Sequence, residues 1–341
     1  NFIKKRYVLG LDGGASKILS QLFLINDKNE IINESRPFEV SYKDIVNFDQ
    51  SFIPVKLEIQ KKESLDKSIT IQPKELRQSK VIINAIIKSI QNFKNFDISA
   101  IGFCFPGIKT KNADGVSIMA NGPRNLNMLH QLNKKINLEL NCSINIKNIY
   151  DDSLSCVYGE KFSSKGKLNN CSNGIYIGGG TGIADGIVYQ NQIVDITAEK
   201  DFKKSWEIIA DDGKSVEECL SLGGLSQKWN SKKMKSVESL NDLFLKAKMK
   251  NKKAEKILFS AGKAFNILIN SRISFFKSKT NYPEKIVIGQ RLGVLLNEKN
   301  HPLKNIIQKN NFKDIPIELS SNRNTAAMGA VYLAINEDNY A

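Results

Sequence analysis

Apolar residues in the first part of this chain follow a period of two. Tyr7-Val8-Leu9-Gly10-Leu11-Asp12 runs into Gly13-Gly14, and alternation resumes at Leu19, Leu22, Phe23, Leu24 and Ile25. This predicts strand, glycine turn and strand, a hairpin that opens a domain. Asn26–Glu30 is a polar turn, and Ile31-Ile32 starts a third strand. In the stretch 50–74, Ile53, Val55, Leu57 and Ile59 alternate ahead of a charged run and a second patch, Ile69-Thr70-Ile71. Either an added hairpin or a mobile loop fits that pattern. From Lys74 to Phe93 the spacing turns helical, through Val81, Ile82, Ala85, Ile86 and Ile90. A buried strand over Ile98–Phe105 then meets Pro106-Gly107, a turn signal.

The pattern continues with a helix over Met128–Leu138, a short strand over Ile144–Ile149, and a helix that Asp151-Asp152 opens. The second half repeats the order of the first. Ile175–Ile177 is a strand, Gly178–Gly182 a glycine turn and Ile187–Tyr189 a strand. A long apolar helix covers 254–277, a strand at Ile286–Gly289 meets a turn, and Thr325–Ile335 closes the chain as a helix. Two copies of strand, glycine turn and strand, each followed by helices, predict an internal duplication of the fold.

Composition changes this picture little. The chain has 341 residues, 41% hydrophobic and 25% charged, enough for two globular domains. Its formal charge of +15 comes mostly from Lys in a chain rich in Lys, Asn and Ile, as at Lys250–Lys253. No arginine-rich arm or aromatic-interleaved basic segment accompanies the charge, so composition bias explains it better than nucleic-acid binding. Five cysteines without a Cys-x-x-Cys pair point to a reduced, intracellular setting. Two isolated histidines, His130 and His301, leave out His-Glu-x-x-His zinc chemistry. No apolar run reaches membrane-spanning length and no leader pattern precedes the first strand, so a cytoplasmic protein without membrane or nucleic-acid partners is expected.

Two segments carry chemistry. In Asp12-Gly13-Gly14-Ala15-Ser16-Lys17, glycines let backbone amides approach a phosphate, the acid can hold the hydration shell of Mg²⁺, and Ser16 and Lys17 add donors. A plain tight turn fits the same residues. Gly178–Gly186 holds five glycines in nine residues between apolar strands, which a close ligand explains better than a turn alone. It has neither the Gly-Lys-Ser/Thr ending of a P-loop nor the spacing of a dinucleotide fingerprint.

Together these motifs resemble the ROK family of sugar kinases, within the hexokinase and actin-like ATPase superfamily. The order is Leu11-Asp12-Gly13-Gly14-x-Ser16-Lys17, Pro106-Gly107, Asp152, Gly180-Thr181-Gly182, then Ile288-Gly289-x-x-x-Gly293. Asn121-Gly-Pro-Arg-Asn125-Leu126 is similar to the family's sugar-contacting Pro-Asn-Leu segment, Asp151-Asp152 to Gly159-Glu160 to its Asn-Asp helix start, and Glu217–Leu225 to its Glu-x-x-x-Ser-Gly helix.

The resemblance implies two ribonuclease-H-like, actin-like ATPase domains of α/β class with a ligand cleft between them. One would comprise 1–140 plus the C-terminal helix 321–341, the other 141–320. It implies ATP and Mg²⁺ as cofactors and a hexose or amino sugar as acceptor. Asp152 would be the general base, with helix N-capping as its plainer alternative. Asp12, Gly13, Gly14, Ser16, Lys17, Gly180, Thr181, Gly182, Gly289, Gln290 and Gly293 would bind the nucleotide. Asn121, Asn125, Asp152 and Glu199 would bind the sugar, with Glu207 as the other candidate acid. A homodimer is implied too, since many relatives pair through the second lobe. The 254–277 helix is a candidate for that interface, or simply core.

The sequence departs from the family at named places. The Cys-x-Cys-Gly-x-x-Gly-Cys zinc loop and the Glu-x-Gly-His segment before it are missing, so no resident metal is expected. The adenosine turn reads Gly289-Gln290-Arg291, and Asp185 replaces a small residue. The alternatives are a catalytically silent sugar-binding protein and a polyphosphate-dependent glucokinase. A non-sugar ATPase of the activator type would bring cluster-binding cysteines. A ROK repressor would bring a helix-turn-helix, and a first strand near residue 7 leaves no place for one.

Overall fold

β1 (Arg6–Gly13) sends Leu9 and Leu11 into one apolar cluster and Val8 into another, so its period of two buries both faces. The computed structural model describes residues 5–140, 143–196, 199, 202–230, 240–309, 312, 314–322 and 324–337. β2 (Lys17–Ile25) returns antiparallel to β1, in register from Arg6↔Ile25 to Gly13↔Ile18. β3 (Ile31–Glu34) and β4 (Phe38–Ser41) both pair with β2.

The stretch 50–74 is neither of the expected alternatives, because it contains helix α1 (Leu57–Leu65). Its apolar alternation does not mark a buried face: Ile53 and Leu65 are 72% and 83% exposed, and the residue that α1 buries is Gln60. Polar contacts place this helix, and periodicity cannot report them. α2 (Pro73–Gln91) begins with Pro at its first position, and Glu75 accepts the Gln72 N–H at 3.0 Å. Its stripe from Val81 to Ile90 packs on the Leu9 side of the sheet.

β5 (Ile98–Phe105) runs parallel to β1 and ends in a turn where Gly107 holds φ at +90°. The hairpin β6 (Ile108–Lys109) and β7 (Val116–Ile118) follows, then α3 (Met128–Glu139). β8 (Ile149–Asp151) is parallel to β5 and leads straight into α4 (Asp152–Phe162). The strand expected over 144–149 thus starts only at its last residue. The first sheet has the order β3-β2-β1-β5-β8, with β4 also on β2.

The second sheet repeats that topology. β9 (Gly174–Gly179), β10 (Ile183–Tyr189) and β11 (Gln192–Ile193) form an antiparallel meander. The connecting chain folds as α5 (Val216–Leu220), α6 (Leu222–Trp229), α7 (Leu240–Lys248) and α8 (Lys252–Ser278). β12 (Lys285–Gly289) then pairs parallel with β9. After α9 (Gln290–Leu296) and α10 (Pro302–Lys309), β13 (Ile317–Leu319) pairs parallel with β12. The order β11-β10-β9-β12-β13 matches the first sheet strand for strand, so the duplication is one of topology. α8 buries Ile257, Leu258, Phe265, Leu268, Ile273 and Phe276 in this core, which is the plain reading of its apolar stripe.

The chain divides into Asn1–Gly159 with Asn324–Ala341, and Glu160–Arg323. The boundary lies at 159/160 and not at 140/141, because β8 hydrogen-bonds to β5 and so belongs to the first sheet. The last helix, α11 (Thr325–Ile335), covers the Val8 face of that sheet with Met328 and Val331. Its approach is close: a Cβ on Gly329 would lie 1.6 Å from the Ser155 carbonyl oxygen on α4. Gly329→Ala should therefore destabilise the first unit by about 1–3 kcal/mol or more. A fall in the urea midpoint checks this, and an unchanged midpoint refutes it.

Candidate active site

Parallel pairing of β1, β5 and β8 brings three strand ends to one edge. Asp12 pairs with Cys104, and Asp151 with Phe105. Neighbouring strands lie about 4.8 Å apart, so the ends of β1 and β8 are about 10 Å apart, within reach of two carboxylate side chains. Asp12 and Asp152 interact electrostatically, and the Asp12 carboxyl is pushed up to about 7, first by burial and then by the Asp152 charge. The Cys104 thiol lies 3.7 Å from the Asp12 carboxylate and 3.7 Å from the Ala326 carbonyl. Burial and the Asp12 charge hold this thiol well above its ordinary value, so it keeps its proton for those oxygens.

The cap of α4 separates the two adjacent acids. Asp151 accepts the backbone N–H groups of Ser153 at 3.0 Å and Leu154 at 3.3 Å, which makes it the N-cap. Asp152 stands one residue later, in the first turn, accepts Ser153 N–H at 3.0 Å and remains partly exposed. The capping role expected as the plain alternative for Asp152 is carried mainly by its neighbour.

In the first hairpin, Gly14 N–H donates to Lys17 O at 2.9 Å, and the buried Tyr42 hydroxyl donates to Gly14 O at 2.7 Å. A Cβ on Gly13 would sit 2.2 Å from the Phe105 ring, so packing alone requires that glycine. Ser16 is exposed, and Lys17 pairs with Glu39 at 2.6 Å, both side chains open to water. Such a pair yields easily to a phosphate. Nothing in the sequence pattern singled out Tyr42 or Cys104, since an isolated Tyr or Cys is a common core residue.

Asn121 is exposed, and Asn125 is buried. The Asn125 amide donates to Gln131 at 2.9 Å and accepts Asn127 N–H at 3.1 Å, a turn-forming use of the side chain.

In the second unit the glycine turn joins β9 to β10. Gly180 N–H donates to Gly182 O at 2.9 Å, and Leu222 N–H donates to Gly180 O at 2.9 Å. Glu217 on α5 accepts Ile183 N–H at 3.0 Å, and its carboxylate fills the space a Cβ on Gly182 would need. Ser221 caps α6 by accepting Gly224 N–H at 2.9 Å, and Gly223 packs on the Thr181 carbonyl. Gly180 differs from its neighbours. A Cβ there would meet nothing within 4 Å, and its φ is not in the left-handed region. Neither packing nor backbone conformation demands this glycine, whereas a ligand lying on the backbone would.

The expected adenosine turn is the N-terminus of α9. Gln290 holds φ at +55°, with its side chain against Gly178. Gly293 packs on the Ile288 and Ser320 carbonyls. Glu199 is exposed, and Glu207 accepts Lys204 N–H at 3.0 Å. Asp185 serves a purpose other than lining the glycine loop. It is buried and bound by Arg272, with a second contact at 3.1 Å. Arg272 also donates to Lys203 O at 2.9 Å and lies over the Phe202 ring at 4.6 Å, so the pair anchors the segment after Glu199. Arg272→Met would leave Asp185 buried and unpaired, with an expected loss of about 3–5 kcal/mol, measured by denaturant unfolding. The double change with Asp185→Leu should recover much of it.

No family model and no curated protein matches the chain by sequence. Solved structures do match. A ROK family glucokinase from Streptomyces griseus, in complex with glucose and AMPPNP, aligns with a TM-score of 0.62 at 14% identity over 97% of this chain and 99% of that one. A putative N-acetylmannosamine kinase from Listeria monocytogenes gives 0.60 at 16% over 98% and 100%. A ROK family transcriptional regulator, homologous to an Escherichia coli protein, gives 0.57 at 14% over 96% and 77%. The resemblance expected from the motifs therefore holds at the level of architecture, and this chain has the actin-like ATPase fold of the ROK sugar kinases.

Proposed function

We propose that the chain is a ROK family sugar kinase that moves the terminal phosphoryl group of ATP to a hydroxyl of a hexose or amino sugar. The observation that carries this reading is the placement of Asp152: partly exposed beside Asp12 at the strand edge, with helix capping left to Asp151. The sugar oxygen would attack the terminal phosphorus as the bond to the β-phosphate oxygen breaks. The hydroxyl proton would pass to the Asp152 carboxylate, and ADP would leave.

The nucleotide fits the residues present. The space over Gly180 in the second unit is open to a ligand, and in the first unit Ser16 and Lys17 carry donors suited to phosphate oxygens. Mg²⁺ fits as well. It takes one or two carboxylates, keeps several waters and shares phosphate oxygens, and the repulsion between Asp12 and Asp152 is what a divalent cation would relieve. When bound it would offset charge on the phosphates. Asp12 would hold it through its water shell, while Asp152 orients the hydroxyl.

A coupled ADP-release assay over hexoses and amino sugars, with ATP and polyphosphate as alternative donors, tests this. Wild type should turn over at least one sugar, and Asp152→Ala should lose about 10²–10⁴ in kcat while still binding it. Equal silence of both on every sugar, with binding retained, would leave a sugar-binding protein that is not an enzyme.

The Asp12 carboxyl adds a pH dependence. Its folded value of about 7 lies above the ordinary 3.8, so between those values the folded chain holds a proton the unfolded chain has lost. Stability from this group is present at low pH and is lost as pH rises toward 7. Asp12→Asn should therefore melt higher than wild type at about pH 8, with the gap closing as pH falls toward about 4. A gap that does not change with pH would refute it.

A further inference from the structure

Residues 53–75 are bonded to both ends of the loop 119–124, which carries Asn121. At one end stands Gln60, the buried residue of α1. Its Nε2 donates to Met119 O at 2.9 Å and to Val55 O at 2.7 Å, while its Oε1 accepts Met119 N–H at 2.8 Å. One side-chain amide thus satisfies both backbone groups of Met119, as a neighbouring strand would. At the other end Arg124 is fully buried. Its Nε and Nη2 donate to the two oxygens of Glu75 at 2.8 and 2.9 Å, and Nη1 bonds Glu63. Nη2 also donates to Thr70 O at 3.1 Å, and Arg124 N–H donates to Glu75 at 3.2 Å. Between the two anchors Asn121 remains exposed.

These bonds are directional, and a buried ion cluster costs more to form than apolar packing of the same volume. Such a cluster is weak evidence for stability, but these directional bonds hold the backbone of Arg124 and Met119 in one conformation. α1 buries little else and rests largely on these bonds, so the helix and the loop hold each other in place. We propose that residues 53–75 are a brace that positions the 119–124 loop for the acceptor sugar. Gln60, Glu63 and Arg124 act as positioning residues that set sugar affinity. This rests on the kinase reading and on its assignment of Asn121 in that loop to the acceptor sugar, and it assigns the brace to the acceptor, apart from the nucleotide.

Gln60→Ala removes the Met119 anchor, and Glu63→Ala trims one acceptor of Arg124 at a side chain 22% exposed, a milder change that keeps Glu75 paired. Both are measured in the sugar kinase assay for sugar KM, ATP KM and kcat, with hydrogen exchange of the 117–127 peptide alongside. The brace predicts faster exchange in that peptide and a sugar KM raised about tenfold or more, with ATP KM and kcat within about twofold. A sugar KM that stays put, or that moves together with ATP KM, overturns it. If wild type binds a sugar without phosphorylating it, the kinase reading fails and the brace is judged on the sugar Kd, which both variants must weaken about tenfold. If wild type binds no sugar, the brace fails with it.

Discussion

Two carboxylates at the ends of parallel strands are the constraint around which the first unit is arranged. Bringing Asp12 and Asp152 to one edge is electrostatically unfavourable, and burial makes it more so; the upward push on Asp12 to about 7 is the sign of that cost. The surroundings are built to tolerate it. Cys104 keeps its proton beside the Asp12 oxygens, and Asp151 takes over the helix cap. Tyr42 ties the hairpin backbone from its buried position. A bound cation would relieve the repulsion between the two acids.

In the second unit the same sheet topology carries a different device. The turn that in the first unit follows an acid is here a run of glycines, held from beneath by Glu217 and by the capped start of α6. Gly179 is required by the protein's own packing against Leu292, while Gly178 and Gly182 lie against the side-chain ends of Gln290 and Glu217. Gly180 is the exception, and so it carries more weight for a ligand than the count of glycines did. Lys203 and Phe202 are held by the buried pair Arg272 and Asp185.

How legible an element is in the sequence tracks the force that places it. The strands β1, β2, β9 and β12 and the helices α2, α8 and α11 bury apolar residues, and their apolar runs or helical spacing were plain in the sequence. α1 was not legible, because hydrogen bonds from Gln60 and Glu63 hold it and its apolar residues are largely exposed. At the candidate site, Asp12, Asp152 and the glycine turns stood out by their order along the chain. Cys104, Tyr42 and Arg272 were not, since each acts through a neighbour that is distant in sequence.

The sequence by itself determined the sheet-and-helix grammar, its duplication and the residue types of the candidate site, because burial and turn chemistry are written locally. Tertiary structure decided which acid caps α4, which glycine stays open, where the unit boundary falls and how residues 53–75 are held. Those depend on strand register and on polar contacts between segments far apart in the chain, which have no period to read.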